Sequence, residues 1–118
     1  MKRDYKLFIK DILDCIRKIE EFAGDMSFEE FVRDEKTKSA VVREIEVMGE
    51  ATKNIPKAIR ERHKDIPWGD MTGMRDKIIH FYFGVDYEII WKVVKKRLPE
   101  IKSMIEGILK EMDAEEKK

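Results

Sequence analysis

Residues 5–22 read YKLFIKDILDCIRKIEEF. Tyr5, Phe8, Ile12, Ile16, Ile19 and Phe22 recur at steps of three and four, with Lys, Arg, Asp and Glu between them. A helix turns by about 100° per residue, so this spacing gathers the apolar side chains on one stripe and leaves the charges outside. Gly24 is placed to stop the helix. Ser27 followed by Glu30 reads as a capping box opening a short helix through Phe31.

The pattern repeats downstream. Asp34 to Ser39 is a polar break, and Val41, Ile45, Met48, Thr52 and Ile55 then mark a second long helix that Pro56 ends. Lys57 to His63 reads as a brief charged helix with His63 exposed, and Ile66-Pro67-Trp68-Gly69-Asp70 as a turn whose Trp anchors on the core. Met71, Met74, Ile78 and Phe81 give a third stripe, closed by Gly84. Asp86 caps the last helix, which carries Ile90, Trp91, Val94, Leu98, Ile101, Ile105, Ile108 and Met112. Pro99 falls inside it and predicts a kink or a split. The reading is all-α: an up-and-down bundle of four main helices plus short ones, one domain over residues 1–113, with a charged, frayed tail over 114–118.

Composition agrees. The chain has 118 residues, 42% hydrophobic and 42% charged, which leaves little room for a loop-rich or all-β protein. Its 25 basic and 25 acidic residues cancel, so no global field draws nucleic acid from a distance. Any RNA contact is therefore local, or made by an oligomer that concentrates a patch. Cys15 is the single cysteine, sits on the apolar side of its helix and suits a reducing, cytoplasmic setting. No signal peptide or membrane span is visible. With two His and one Cys, a metal site rich in nitrogen or sulfur is poorly supplied. No metal or cofactor is expected.

The chemistry concentrates in Arg75-Asp76-Lys77-Ile78-Ile79-His80-Phe81-Tyr82. Arg grips a phosphate with two hydrogen bonds and keeps its charge at any usable pH. His titrates near neutrality and passes a proton either way. On an ideal helix Arg75 and Tyr82 share a face, while Arg75 and His80 are offset by roughly 140°. Either the helix bends locally or a second copy completes the site, since a twofold dimer brings the same patch in twice. Spacing alone is weak evidence, because most such Arg–His pairs are surface or core groups. Other charge runs, Lys95-Lys96-Arg97 and Arg60, Arg62 and Lys64, read as solvated faces, and Met48, Met71 and Met74 as packing.

The wider sequence resembles the HepT-like branch of the HEPN domains. That family's signature is Arg, four residues, His, any residue, Tyr, and Arg75, His80 and Tyr82 match it. Ser27-Phe28-Glu29-Glu30-Phe31 resembles the family's short acidic helix. Ala40-Val41-Val42-Arg43 through Gly49-Glu50-Ala51 resembles its second long helix. Ile66-Pro67-Trp68, Gly73-Met74-Arg75 and Val85-Asp86 through Trp91 follow in order, so the match covers nearly the whole chain. Where the family often has Asn, this chain has Asp76, an acid that either repels RNA or orients His80. Glu50 is a possible supporting residue, or simply a polar residue of its helix.

The resemblance implies a metal-independent endoribonuclease that is the toxin of a type VII toxin–antitoxin pair. The expected partners are a second copy of the chain, an RNA substrate, and a minimal nucleotidyltransferase that neutralises the toxin by adding AMP to Tyr82. Arg75 and His80 are the catalytic pair it implies. The alternative is a non-catalytic helical module that dimerises and binds the nucleotidyltransferase.

Overall fold

The structure, a computed structural model, describes residues 4–80 and 86–117, with the backbone alone for 75–80. It is all-α, with no strand among the described residues. Helix α1 spans Tyr5–Ala23, α2 Phe28–Arg33, α3 Glu35–Lys53, α4 Lys57–Arg62, α5 Trp68–His80, α6 Tyr87–Lys92 and α7 Leu98–Glu116. A π-helical turn, Val93–Arg97, joins α6 to α7. The long elements are α1, α3, α5 and the α6–α7 rod, and α1 packs on α3, α3 on α5, and α1 on α7.

The starts and stops follow local chemistry. Gly24 ends α1 at a φ of 49°, a left-handed value that costs glycine nothing, and its N–H bonds to the Glu20 carbonyl. Ser27 and Glu30 make both bonds of the capping box. Asp86 Oδ1 accepts from the Glu88 N–H at 2.9 Å and caps α6.

Asp34 corrects the expected polar break. Its carboxylate accepts from the Thr37 N–H at 2.9 Å, so α3 starts at Glu35, well ahead of Val41. That bond also holds the Asp34 carboxyl below its ordinary pKa. Residues 35–39 look like a loop in sequence because the first turn of α3 has no apolar residue.

Pro99 neither breaks the last helix nor leaves it regular. In an α-helix its ring would crowd the carbonyl four residues back, and its missing N–H would leave that carbonyl unbonded. The turn before it widens instead: the Leu98 N–H donates to Val93 O, five residues back. The rod stays helical from Tyr87 to Glu116.

The charged C-terminal segment is helical to Glu116, and the reason is ionic. Lys6 Nζ lies 2.8 Å from both Asp113 and Glu116, and Arg62 lies 3.7 Å from Glu115. The two carboxylates raise the Lys6 pKa above its ordinary value, and Lys6 lowers that of Asp113. Farther along, Arg17 meets Glu106 and Lys102 meets Glu20. As numbering rises on α1 it falls on α7, so the two helices run antiparallel.

Ile9, Ile12, Ile16 and Ile19 of α1 are fully buried, among Val41 and Ile45 of α3 and Ile105 of α7. Phe22, on the stripe read from sequence, is exposed instead. Cys15 is buried, and loss of water pushes its thiol up to about 12, so it stays protonated and inert at neutral pH. A second cluster ties α2 to α6. The Phe31 ring sits 4.7 Å from Trp91 and 6.3 Å from Tyr87. Lys38 Nζ covers Tyr87 at 4.6 Å and Lys95 Nζ covers Trp91 at 4.7 Å.

Candidate active site

Helix α5 carries the Arg75–His80 part of the motif, and its first turn is firmly held. Trp68 is buried, and its indole N–H donates to the His63 carbonyl at 3.0 Å. Met71 is buried beside it, and its N–H bonds to Pro67 O. Thr72 Oγ1 returns a bond to Gly69 O. Asp70 lies in the first turn, where a negative charge suits the helix dipole. Its carboxylate also meets the Arg97 guanidinium at 3.1 Å, which ties α5 to the π-helical turn.

The backbone is α-helical without interruption from Trp68 to His80. No local bend therefore brings positions 75 and 80 into phase, and their register offset stays at roughly 140°. The side chains of Arg75, Asp76 and His80 lie outside the described residues, as does Tyr82 altogether. Phe81 and the Gly84 cap also lie outside them.

Helix α3 packs along α5. Met48, Gly49, Ala51 and Thr52 of α3 are buried, and Met48 lines an opening together with Met71 and Met74 of α5. The Thr52 hydroxyl donates to Met48 O at 2.7 Å. Glu50 is exposed. Its backbone carbonyl accepts from the Asn54 side chain.

Two openings flank the first turn of α5. One, of about 340 Å³, has Met48, Met71, Met74, Val93, Leu98 and Ile101 around it, with Asp70 and Arg97 at its rim. The other lies against α4 and has three cations, Lys57, Arg60 and Lys64, above Ile66, Pro67 and Trp68. In sequence both charge runs read as solvated faces. The structure divides them. Lys95 is turned onto Trp91 and the Gly24 carbonyl, and Arg97 onto Asp70. Arg62 and His63 turn toward α7, where His63 is half-buried, 3.8 Å from Glu111, and not exposed as expected.

Residues 12–108 match the model of the family described as "Ribonuclease HepT-like". The chain belongs to that family. A relative from Thermococcus cleftensis, named "Probable ribonuclease HepT", is 47% identical over 93% of this chain and 100% of its own length. "Putative RNase MJ0125" from Methanocaldococcus jannaschii is 51% identical over 95% of this chain and 97% of its own. "Putative RNase TTE0752" from Caldanaerobacter subterraneus is 47% identical over 86% and 91%. No solved structure matches at a comparable level. The HepT-like match spans α1 to α7, so family and helical architecture rest on the same residues. No helix among the described residues is long and apolar enough to cross a membrane.

Proposed function

We propose that this HepT-like protein is a metal-independent endoribonuclease acting as a homodimer, and the toxin of a type VII toxin–antitoxin pair. The observation that carries the reading is Arg75-x4-His80-x-Tyr82 on and just after α5, in a chain matched to the ribonuclease family over residues 12–108. The RNA 2′-oxygen attacks the adjacent phosphorus. His80 takes the 2′-hydroxyl proton, or delivers one to the departing 5′-oxygen. Arg75 stabilises the charge that builds on the phosphoryl oxygens. A 2′-O–P bond forms and the P–O5′ bond breaks, leaving a 2′,3′-cyclic phosphate and a 5′-hydroxyl.

Register supports the dimer. Positions 75 and 80 sit about 140° apart on a continuous helix, and a twofold axis beside α5 supplies the missing partner from the second copy. Purified protein is expected to cut RNA in EDTA and to elute at twice the monomer mass. Cleavage that appears only on adding a divalent metal would refute the mechanism. A monomer with full activity would refute the shared site.

Tyr82 is the proposed control point. A neutral phenol, with an ordinary pKa of about 10, sits beside an arginine without forming a salt bridge. Attached AMP adds a phosphodiester charge that pairs with Arg75 and competes with the substrate phosphate. Positions 75 and 82 are two turns apart in helical register. Co-expression with a cognate nucleotidyltransferase is expected to add AMP at Tyr82 and silence cleavage, and Tyr82→Phe to escape it. Peptide mass spectrometry decides: AMP found only elsewhere, or full silencing of the Phe variant, removes Tyr82 from that role.

A further inference from the structure

Helix α4 has two faces with different fates. Ile59, Arg62 and His63 lie against α1 and α7, lining a shallow pocket with Tyr5, Ile108 and Glu111. The other face carries Lys57, Arg60 and Glu61 and, with Lys64 just beyond, walls an open furrow of about 460 Å³. The floor is Ile66, Pro67 and Trp68, and the far wall is Gly69 and Asp70 of α5.

The charges in this furrow do not cancel locally. Glu61 is taken by Lys57 at 3.9 Å, and Asp70 by Arg97 at 3.1 Å. Arg60 and Lys64 are left with no carboxylate among the described residues. Arg60 is half-buried, and its Nε is shielded from solvent with no hydrogen-bond acceptor. A guanidinium with no acid beside it can take an anionic oxygen at its terminal nitrogens.

The furrow also leads somewhere. Gly69 and Asp70 line both this opening and the one beside Met48 and Arg97. A Cβ at Gly69 or Gly73 would meet nothing within 4 Å, so the α5 surface stays open along this path. Asp70 to Arg75 is five residues, roughly 7.5 Å along a helix axis.

We propose that the furrow between α4 and α5 holds the RNA backbone on one side of the scissile phosphate, with Arg60 and Lys64 as its phosphate-binding groups. The proposal rests on the ribonuclease reading and extends it: with no net charge to attract RNA, a short local track does the holding. Each phosphate contact on a single strand contributes about 0.7 to the slope of log K against log salt.

The test uses a 2′-O-methyl oligoribonucleotide, which has no free 2′-hydroxyl and is not cut, so binding is read apart from cleavage. Arg60→Gln/Lys64→Gln is expected to reduce the salt slope by about 1.4 relative to wild type. On ordinary RNA it should raise KM while leaving kcat near wild type. Arg60→Lys/Lys64→Arg should restore the slope, which guards against a folding effect. Arg33→Gln/Lys36→Gln removes the same charge near the start of α3, whose 19 residues separate it from the α4 end; this control should bind as wild type. An unchanged slope in the furrow variant, or an equal loss in the control, overturns the proposal. A wild type that binds with the expected slope but leaves ordinary RNA intact overturns the ribonuclease reading and supports the track.

Discussion

His80→Ala is expected to lower the RNA-cleavage rate by ~10²–10⁴-fold, the usual contribution of a positioned acid–base group. Arg75→Ala is expected to cost ~10²–10³-fold, the range for losing one electrostatic donor to a developing oxyanion. Neither should unfold the protein. Alanine is the best helix former, and α5 is held from its other end by buried Trp68 and Met71. Arg75→Lys should not rescue, because an ammonium lacks the planar fork that grips two phosphoryl oxygens. Asp76→Asn separates the two effects open to that acid. If Asp76 repels RNA, the variant lowers KM; if it orients His80, the variant lowers kcat. Single-turnover assays on a labelled RNA in EDTA, with far-UV circular dichroism as the folding control, read all four variants. Activity surviving in His80→Ala would remove His80 from the chemistry.

The fold was legible wherever burial and polarity alternate together. The stripe from Ile12 to Ile19, the Ser27 capping box and the Gly24 stop are local signals, and local geometry answers them. The failures share a cause. The first turn of α3 is polar throughout, so no apolar periodicity reveals it; only the Asp34 cap does. The π-helical turn before Pro99 is a compromise between a proline and a core stripe that continues from Val94 to Ile101 and beyond. The helical end at Glu116 depends on Lys6, more than a hundred residues away, which no local window contains.

The site divides in the same way. Arg75, His80 and Tyr82 stood out because polar groups interrupt an apolar stretch in a recognisable spacing. The α4 cations did not, because in sequence they match any solvated face. Their distinction lies in what surrounds them. Arg62 finds Glu115 and Lys57 finds Glu61, while Arg60 finds neither acid nor acceptor. The sequence-level trace was present in Ile59, an apolar residue opposite the Lys57–Arg60–Lys64 edge, which shows that one side of α4 must dock and the other must not.

Phe31→Ala is expected to destabilise the protein by about 3–5 kcal/mol, against a total of about 5–15 kcal/mol for an ordinary domain. Phe31 is fully buried and is the largest such side chain in the described core. It is the one buried residue of a six-residue helix. A helix that short has no stability of its own, because nucleation costs more than a few hydrogen bonds return. Its capping box fixes only its start, so attachment falls chiefly to Phe31 packed on Trp91 and Tyr87, with Phe28 and Val32 in lesser contact. Truncation removes the ring's transfer energy and both aromatic contacts, and leaves a cavity that rigid rings close poorly. Phe22→Ala is the matched control. Phe22 lies on the α1 stripe that sequence alone marks as core, yet it is 38% exposed. Its loss should cost about 1 kcal/mol or less, since the ring is already partly in water. Urea unfolding followed by circular dichroism reads the difference as a shift in midpoint at constant slope. Equal losses for the two variants would mean that the stripe, and not the burial seen in the fold, sets the energetics. A large loss at Phe31 alone would mean that α2 is held chiefly by that side chain to the helix that follows the Arg75–Tyr82 motif.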